Sequence, residues 1–284
     1  MEFDKDLQAR QEARQLAKQA EDAQKQLAGM SQQQLDAIVE AVSRAFYNAA
    51  AELAELAAQE TGFGNVSDKI TKNQFASKTL WQSLKNMKTV GVLKENQQDK
   101  LWEIGVPVGV IAAIVPSTNP TSTICYKALI ALKSGNAIVF SPHPKAVDCT
   151  LRAARIVAAA AEKAGAPAGS ISCLSLASMA GCQELMAAEE VKLILATVFI
   201  GIYTQSVPCI LERIIMRSEI KSLIFAEKTE AVHEHLVAIL DIPLTEYLFR
   251  TLIWRGLHPV NCRKRIGEEF SSGFRCVQFM VLRE

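Results

Sequence analysis

The chain has 284 residues, 49% of them apolar, and a formal net charge of +1 at pH 7. That length holds one large domain or two ordinary ones with a substantial core, and the near-zero charge gives no electrostatic basis for binding nucleic acid or an anionic membrane. No apolar run reaches the roughly 18 residues of a membrane span, and the seven cysteines include no C-x-x-C pair, a usage that suits a reduced, cytoplasmic protein with neither disulfide framework nor metal site.

The opening stretch, "MEFDKDLQARQEARQLAKQAEDAQKQL", is charged and helical in pattern, unlike a secretory signal. Residues 4–28 are predicted to form a helix, with Leu7, Ala17 and Leu27 among Gln, Lys and Glu. Ser31 is placed to cap a second helix, "SQQQLDAIVEAVSRAFYNAAAELAELAAQETG", which Gly62 would terminate. Its apolar residues Leu35, Ile38, Val39, Val42, Phe46 and Ala49 recur every three or four positions, as one buried face requires. A third helix is expected over "SDKITKNQFASKTLWQSLKNMK". All three read as packing elements of an N-terminal helical region, residues 1–89.

From residue 90 the period changes. "KLWEIGVPVGVIAAIV" reads as extended, followed by a Pro/Asn loop and the helix "TSTICYKALIALKSG". A strand "NAIVFS", a loop "PHPKA" and an Ala-rich helix "VDCTLRAARIVAAAAEKAG" come next. A short strand "SISCLS", a helix near "MAGCQELMAAEE" and a strand "VKLILAT" complete the series. Strands alternating with helices of this length predict βαβ units, hence an α/β fold with a parallel sheet over residues 90–197. Near-continuous apolar strands fit a sheet covered on both faces.

Composition shifts after Thr197. Residues 1–197 hold 15 Lys, 5 Arg and 36 Ala, whereas residues 198–284 hold 3 Lys, 8 Arg and 3 Ala. A domain boundary and a shifted reading frame both produce such a change, and the tail 198–284 is expected to be atypical, packing poorly on the rest.

Two loops carry candidate chemistry. In "IVPSTNPTST" (114–123), the Asn119 amide sits at a strand end between Pro116 and Pro120. An uncharged, fixed donor there suits a developing oxyanion, while the plain alternative is a Pro/Asn turn. In "VFSPHPKA", Ser141 and His143 stand at the next strand end beside Pro142 and Pro144. Hydroxyl and imidazole suit the oxygens of a nucleotide; the plain alternative is a surface loop. "HEH" at 233–235 places its histidines at i and i+2, which point apart on a helix, so a shared metal is not expected. The Arg-rich "WRGLHPVNCRKR" has no spacing that specifies a ligand.

The strings "KNQFASKTLWQSLKNMKTVGVL", "PVGVIAAIVPSTNPTST", "ALIALKSGNAIVFSPHPKA" and "VKLILAT" closely resemble the CoA-acylating aldehyde dehydrogenases, from about residue 30 to Thr197. The resemblance implies a Rossmann-like α/β fold and an enzyme that oxidises an aldehyde, acetaldehyde by default, with NAD and CoA to an acyl-CoA. It implies Asn119 as the oxyanion donor, and Pro116, Ser117, Thr118, Ser141, Pro142, His143 and Thr197 along the NAD groove. It also implies a homo-oligomer and is compatible with bacterial microcompartments. A G-x-G-x-x-G fingerprint is absent, and the family does not need one.

Departures accompany the match. Where the family follows "ILAT" with two glycines beneath the pyrophosphate, this chain has Val198 and Phe199. A segment resembling "FDNGTICASEQ", which carries the family's nucleophilic cysteine, does not occur. Cys209, Cys262 and Cys276 lack that context, and Cys125 reads as a small core residue. The expectation is therefore a cofactor-binding portion without catalytic turnover of its own; a non-catalytic remnant with only packing or partner-binding capacity is the other reading.

Overall fold

The computed structural model describes residues 4–98 and 100–200, together with strands at 222–225 and 275–282. The first helix, α1 (Lys5–Leu27), is capped by Asp4, whose Oδ1 accepts from the Asp6 N–H at 3.1 Å. Its buried stripe is Ala9, Ala13, Ala17, Ala20, Ala23 and Leu27, while Leu7 is exposed. An alanine stripe lets the helix axis approach its neighbours closely.

The second helical stretch is broken in two. Ser31 caps α2 (Gln32–Asn48) through a capping box: its Oγ accepts from Gln34 N at 3.3 Å, and its own N–H donates to Gln34 Oε1 at 2.9 Å. The helix stops at Ala49 (φ −91°, ψ 4°) and restarts as α3 (Ala50–Thr61). The kink turns Leu53, Ala54 and Ala57 inward. Gly62 ends α3 at φ 68°, its N–H donating to Ala58 O at 3.0 Å, in the left-handed conformation that glycine adopts without penalty. The third stretch is α4 (Val66–Gln74), a π-helical turn (Phe75–Thr79) and α5 (Leu80–Leu84). A π turn displaces carbonyls from the i+4 ladder. Here Ser77 Oγ donates to Asn73 O at 2.8 Å, and the buried Cys125 Sγ to Ala76 O at 3.5 Å.

The extended region 90–115 is not one piece of a parallel sheet. Strands β1 (Gly91–Asn96) and β2 (Leu101–Gly105) form a separate antiparallel hairpin. Pro107 and Gly109, the latter at φ 131°, interrupt the run before β3 (Val110–Ile114). The remaining elements alternate as expected: α6 (Pro120–Lys133), β4 (Ala137–Ser141), α7 (Val147–Lys163), β5 (Ile171–Cys173), α8 (Met179–Ala187) and β6 (Val191–Ile200). Within the tail, β7 (Ser222–Phe225) and β8 (Arg275–Leu282) join the same sheet. Strand order is β5-β4-β3-β6-β8-β7; the first four are parallel, and β8 runs antiparallel to β6 and β7.

Helices α6 and α7 pack with α2 on one face of the sheet, and α1 packs with α8 on the other. One core unites Phe46, Leu35 and Val42 of α2 with Ile138 and Phe140 of β4, Ile194 of β6 and Leu129 of α6. The start of α7 is satisfied from α3: the Glu60 carboxylate accepts from Asp148 N at 2.9 Å and Cys149 N at 2.8 Å. Burial alone would raise the Glu60 carboxyl, but hydrogen bonds from the Cys149 thiol and the backbone of Cys149, Asp148 and Val147 outweigh it and hold the carboxyl below its ordinary value.

Two measurements check this packing. Ala17→Leu should wedge α1 from the sheet and cost about 1–3 kcal/mol, read as a lower Tm with the circular dichroism spectrum retained. Because Glu60 is depressed in the fold, its contribution is complete above the unfolded pKa of about 4.3 and is lost as pH falls through the folded value. Glu60→Gln should therefore flatten the acid side of the stability-pH curve; an unchanged slope below pH 5 would contradict the cap.

Candidate active site: the carboxyl edge of strands 3, 4 and 6

The chain proceeds from β3 to β4 to β5 on one side and then crosses back to β6 on the other side of β3. Strand order thus reverses at β3, and the carboxyl edge at such a switch point is where open α/β sheets bind ligands. Register puts three residues at one level: Ile114, the last of β3, lies opposite Ser141, the last of β4, and also opposite Ala196 within β6. The Asn119 loop, the His143 loop and Thr197 thus share one edge of the sheet, as the alternation of elements predicted.

Buried cations and hydroxyls hold the crevice floor. Lys127 of α6 is fully buried, and its Nζ donates to Ile114 O at 2.8 Å and Leu195 O at 2.7 Å, tying the end of β3 to the middle of β6. Thr197 is buried, and its Oγ1 lies 2.8 Å from the Tyr126 hydroxyl. Cys125 is also fully buried, with a thiol pushed up by desolvation, which makes it a core residue and no nucleophile.

Asn119 occupies the N-cap position of α6, with Pro120 at the first helical position, where its missing N–H costs nothing. An asparagine there usually caps its own helix. This one makes no side-chain cap bond; its Oδ1 instead accepts from Lys72 Nζ at 3.4 Å. The loop backbone is pinned separately, by Lys69 Nζ donating to Thr118 O at 2.9 Å and by Thr123 Oγ1 donating to Asn119 O at 2.7 Å. Pro116 is buried, and Ser117, Thr118 and Asn119 are half-buried.

Lys69 and Lys72 reach the loop because α4 is clamped to α6. The buried Asn73 donates from Nδ2 to Ala50 O at 3.0 Å, and its Oδ1 accepts from Thr121 Oγ1 at 2.9 Å. Burial first, and the neighbouring Lys72 second, hold the Lys69 ammonium below its ordinary pKa. These three residues were not singled out from the sequence, where "SDKITKNQ" reads as the start of a packing helix; the lysine spacing of three, followed at once by an asparagine, is the only trace.

In the second loop, Ser141 and Pro142 are buried and His143 is half-buried. His143 Nδ1 accepts from Lys145 N at 3.1 Å, which leaves Nε2 as the protonated nitrogen of the neutral ring. Burial, and secondarily Lys145, keep its pKa below the ordinary value, so the ring is neutral at pH 7.

Positive charge and uncapped backbone gather at this edge. Lys69 and Lys72 supply positive charge, the start of α6 has no side-chain cap, and His143 presents a neutral donor. The start of α7 offers no comparable site, since Glu60 already takes its N–H groups. Beyond Thr197, β6 continues as strand through Val198 and Phe199 to Ile200, paired with β8. Cys209, Cys262, the histidines at 233 and 235 and the Arg-rich stretch lie outside the described residues, and Cys276 falls within β8. No three metal-ligating side chains gather among the described residues, and no helix among them is long and apolar enough to cross a membrane.

Comparison with known proteins places the arrangement. The chain is 44% identical over 182 residues to the bifunctional aldehyde-alcohol dehydrogenase AdhE of Escherichia coli K12, covering 64% of this chain and 20% of that protein. Among solved structures, the acetylating aldehyde dehydrogenase of Geobacillus thermoglucosidasius superposes with a TM-score of 0.67 at 50% identity, over 68% of this chain and 43% of that one. An engineered glycolyl-CoA reductase with bound NADP+ superposes with a TM-score of 0.57 at 26% identity, over 72% and 44%. The chain thus spans about a fifth of the bifunctional relative and under half of each solved structure. The profile of the aldehyde dehydrogenase family matches residues 5–200, which takes in α1 as well as every strand and loop of the crevice, and the chain belongs to the aldehyde dehydrogenase family.

Proposed function

We propose that residues 5–200 form the cofactor-binding portion of a CoA-acylating aldehyde dehydrogenase, with acetaldehyde as the default substrate and NAD as the oxidant. The observation that carries this reading is the common level of Ile114, Ser141 and Ala196, which brings the Asn119 loop, the His143 loop and Thr197 to one crevice. The acetylating relative supports the CoA-dependent branch, and the structure with bound NADP+ supports a nicotinamide cofactor.

In this reading, a cysteine thiolate adds to the aldehyde carbon and the carbonyl electrons move onto oxygen. Asn119 Nδ2 donates to that oxyanion, an uncharged donor held in place before the reaction begins. Bound nicotinamide would supply the two-electron acceptor that takes the aldehyde to the acyl level, and CoA would supply the thiol that carries the acyl group away. Pro116, Ser117 and Thr118 line the groove, Ser141, Pro142 and His143 lie along the adenosine side, and Thr197 closes the crevice from β6. His143 contributes a neutral Nε2–H donor to ribose or phosphate oxygen.

The four cysteines whose side chains are described do not supply the thiolate: desolvation holds the Cys125, Cys149, Cys173 and Cys182 thiols above their ordinary value, Cys149 at about 12. Turnover therefore needs a cysteine segment that this sequence does not contain in recognisable form.

Titration calorimetry with NAD tests the reading. Weak, millimolar binding is expected, and His143→Ala should weaken it severalfold, about 1 kcal/mol for one lost hydrogen bond. Absence of heat at millimolar NAD would overturn the groove assignment. Incubation with acetaldehyde, CoA and NAD should yield no NADH, since loss of a nucleophile costs several orders of magnitude. Turnover abolished by changing one cysteine of the tail to alanine would identify a nucleophile and correct that expectation.

A further inference from the structure

The Asn119 amide has two chemically opposite ends, and only one of them serves an oxyanion. With Nδ2 toward the crevice it donates; rotated by half a turn it presents Oδ1, which repels a developing negative charge. Its position at the start of α6 does not choose between the two, because the side chain makes no cap bond to its own helix. Backbone contacts fix where the residue stands: Thr123 N at 3.2 Å and Thr123 Oγ1 at 2.7 Å both donate to Asn119 O. They do not fix which way the amide faces.

Lys72 makes that choice. An ammonium has three donors and no acceptor, so at 3.4 Å it accommodates Oδ1 and excludes Nδ2. Its own position is set on the rigid side of the site. Asn73, the next residue, is clamped between Ala50 O and Thr121 Oγ1, and Lys69, one turn earlier, holds Thr118 O. The Lys72 side chain is half-buried, in a medium where a charge-dipole contact is stronger than in water. Drawing electron density toward Oδ1 also makes the Nδ2–H bonds better donors.

We infer that Lys72 is a positioning residue for Asn119, orienting the amide so that Nδ2 faces the crevice and strengthening it as a donor. The inference rests on the proposed role of Asn119 for its purpose, though not for its geometry.

The test reads the asparagine itself. In the 15N-labelled chain, the Asn119 side-chain NH2 pair is identified by its loss in Asn119→Asp, and its order parameter is measured in wild type and in Lys72 variants. In wild type the pair should be as ordered as the backbone, roughly 0.8 or above; in Lys72→Met it should fall below about 0.6. The proton shifts should move upfield, while the backbone amides of 117–121 keep their order. Lys72→Arg, which restores a cationic donor, should recover both readings. Should Lys72→Met fail to fold, Lys72→Gln replaces it, and its neutral donor should give intermediate order and an upfield shift. An NH2 pair unchanged in Lys72→Met or Lys72→Gln overturns the inference, as does loss of order shared equally by the loop backbone, which would mark a merely structural lysine. Failure to bind NAD leaves this measurement intact, and NAD binding with an unaltered NH2 pair defeats this inference alone.

Discussion

Everything at the candidate site depends on how strand β3 is held between its two neighbours. Parallel strands bond through slanted, evenly spaced ladders, and a slip of one residue would reverse every side chain between the faces of the sheet. Both neighbours are locked at the same level, Ser141 and Ala196 opposite Ile114. Lys127 reinforces the lock, bridging Ile114 O of β3 and Leu195 O of β6. A buried ammonium is expensive unless its donors are used, and here the use coincides with the point where strand order reverses. The crevice is a consequence of strand order; its level is a consequence of register.

The helices translate that level into side-chain positions. Clamped by Asn73, α4 delivers Lys69 and Lys72 to the first loop, and the π turn that follows is tolerated because Ser77 and Cys125 satisfy carbonyls it displaces. The two helix starts at this edge are treated differently. Glu60 neutralises the start of α7, whereas α6 begins with a proline and an asparagine whose side chain is turned elsewhere. Only the second leaves its positive end without a side-chain partner of its own, beside the crevice rather than away from it.

Strand β6 raises a separate constraint. It continues four residues past Ala196, and β8 pairs with it from Leu193 to Ile200, covering an edge that would otherwise present unpaired backbone groups. A strand at Val198 and Phe199 has extended backbone, whereas the close approach of a pyrophosphate to backbone N–H groups requires a turn into a helix. Paired with β8, Val198 and Phe199 stay in the strand and make no such turn.

Much of the architecture was legible without coordinates because it follows from period and punctuation. The capping residues Ser31 and Gly62, the apolar strands, and the alternation from β3 to β6 each have local causes, and parallel pairing with loops at one edge follows from alternation itself. The break at Ala49 was not legible, since nothing in an alanine-rich run signals a kink that packing imposes. Nor was the β1–β2 hairpin, because an apolar extended run looks the same whether it joins the main sheet or pairs with itself. Leu7, apolar by type, is exposed, while five alanines supply the buried face of α1. Asn119 and His143 could be placed at strand ends from sequence because prolines mark such ends. Lys69, Lys72 and Asn73 were not, because they come from a helix some fifty residues away, and only the tertiary fold sets their polar ends against the loop they hold.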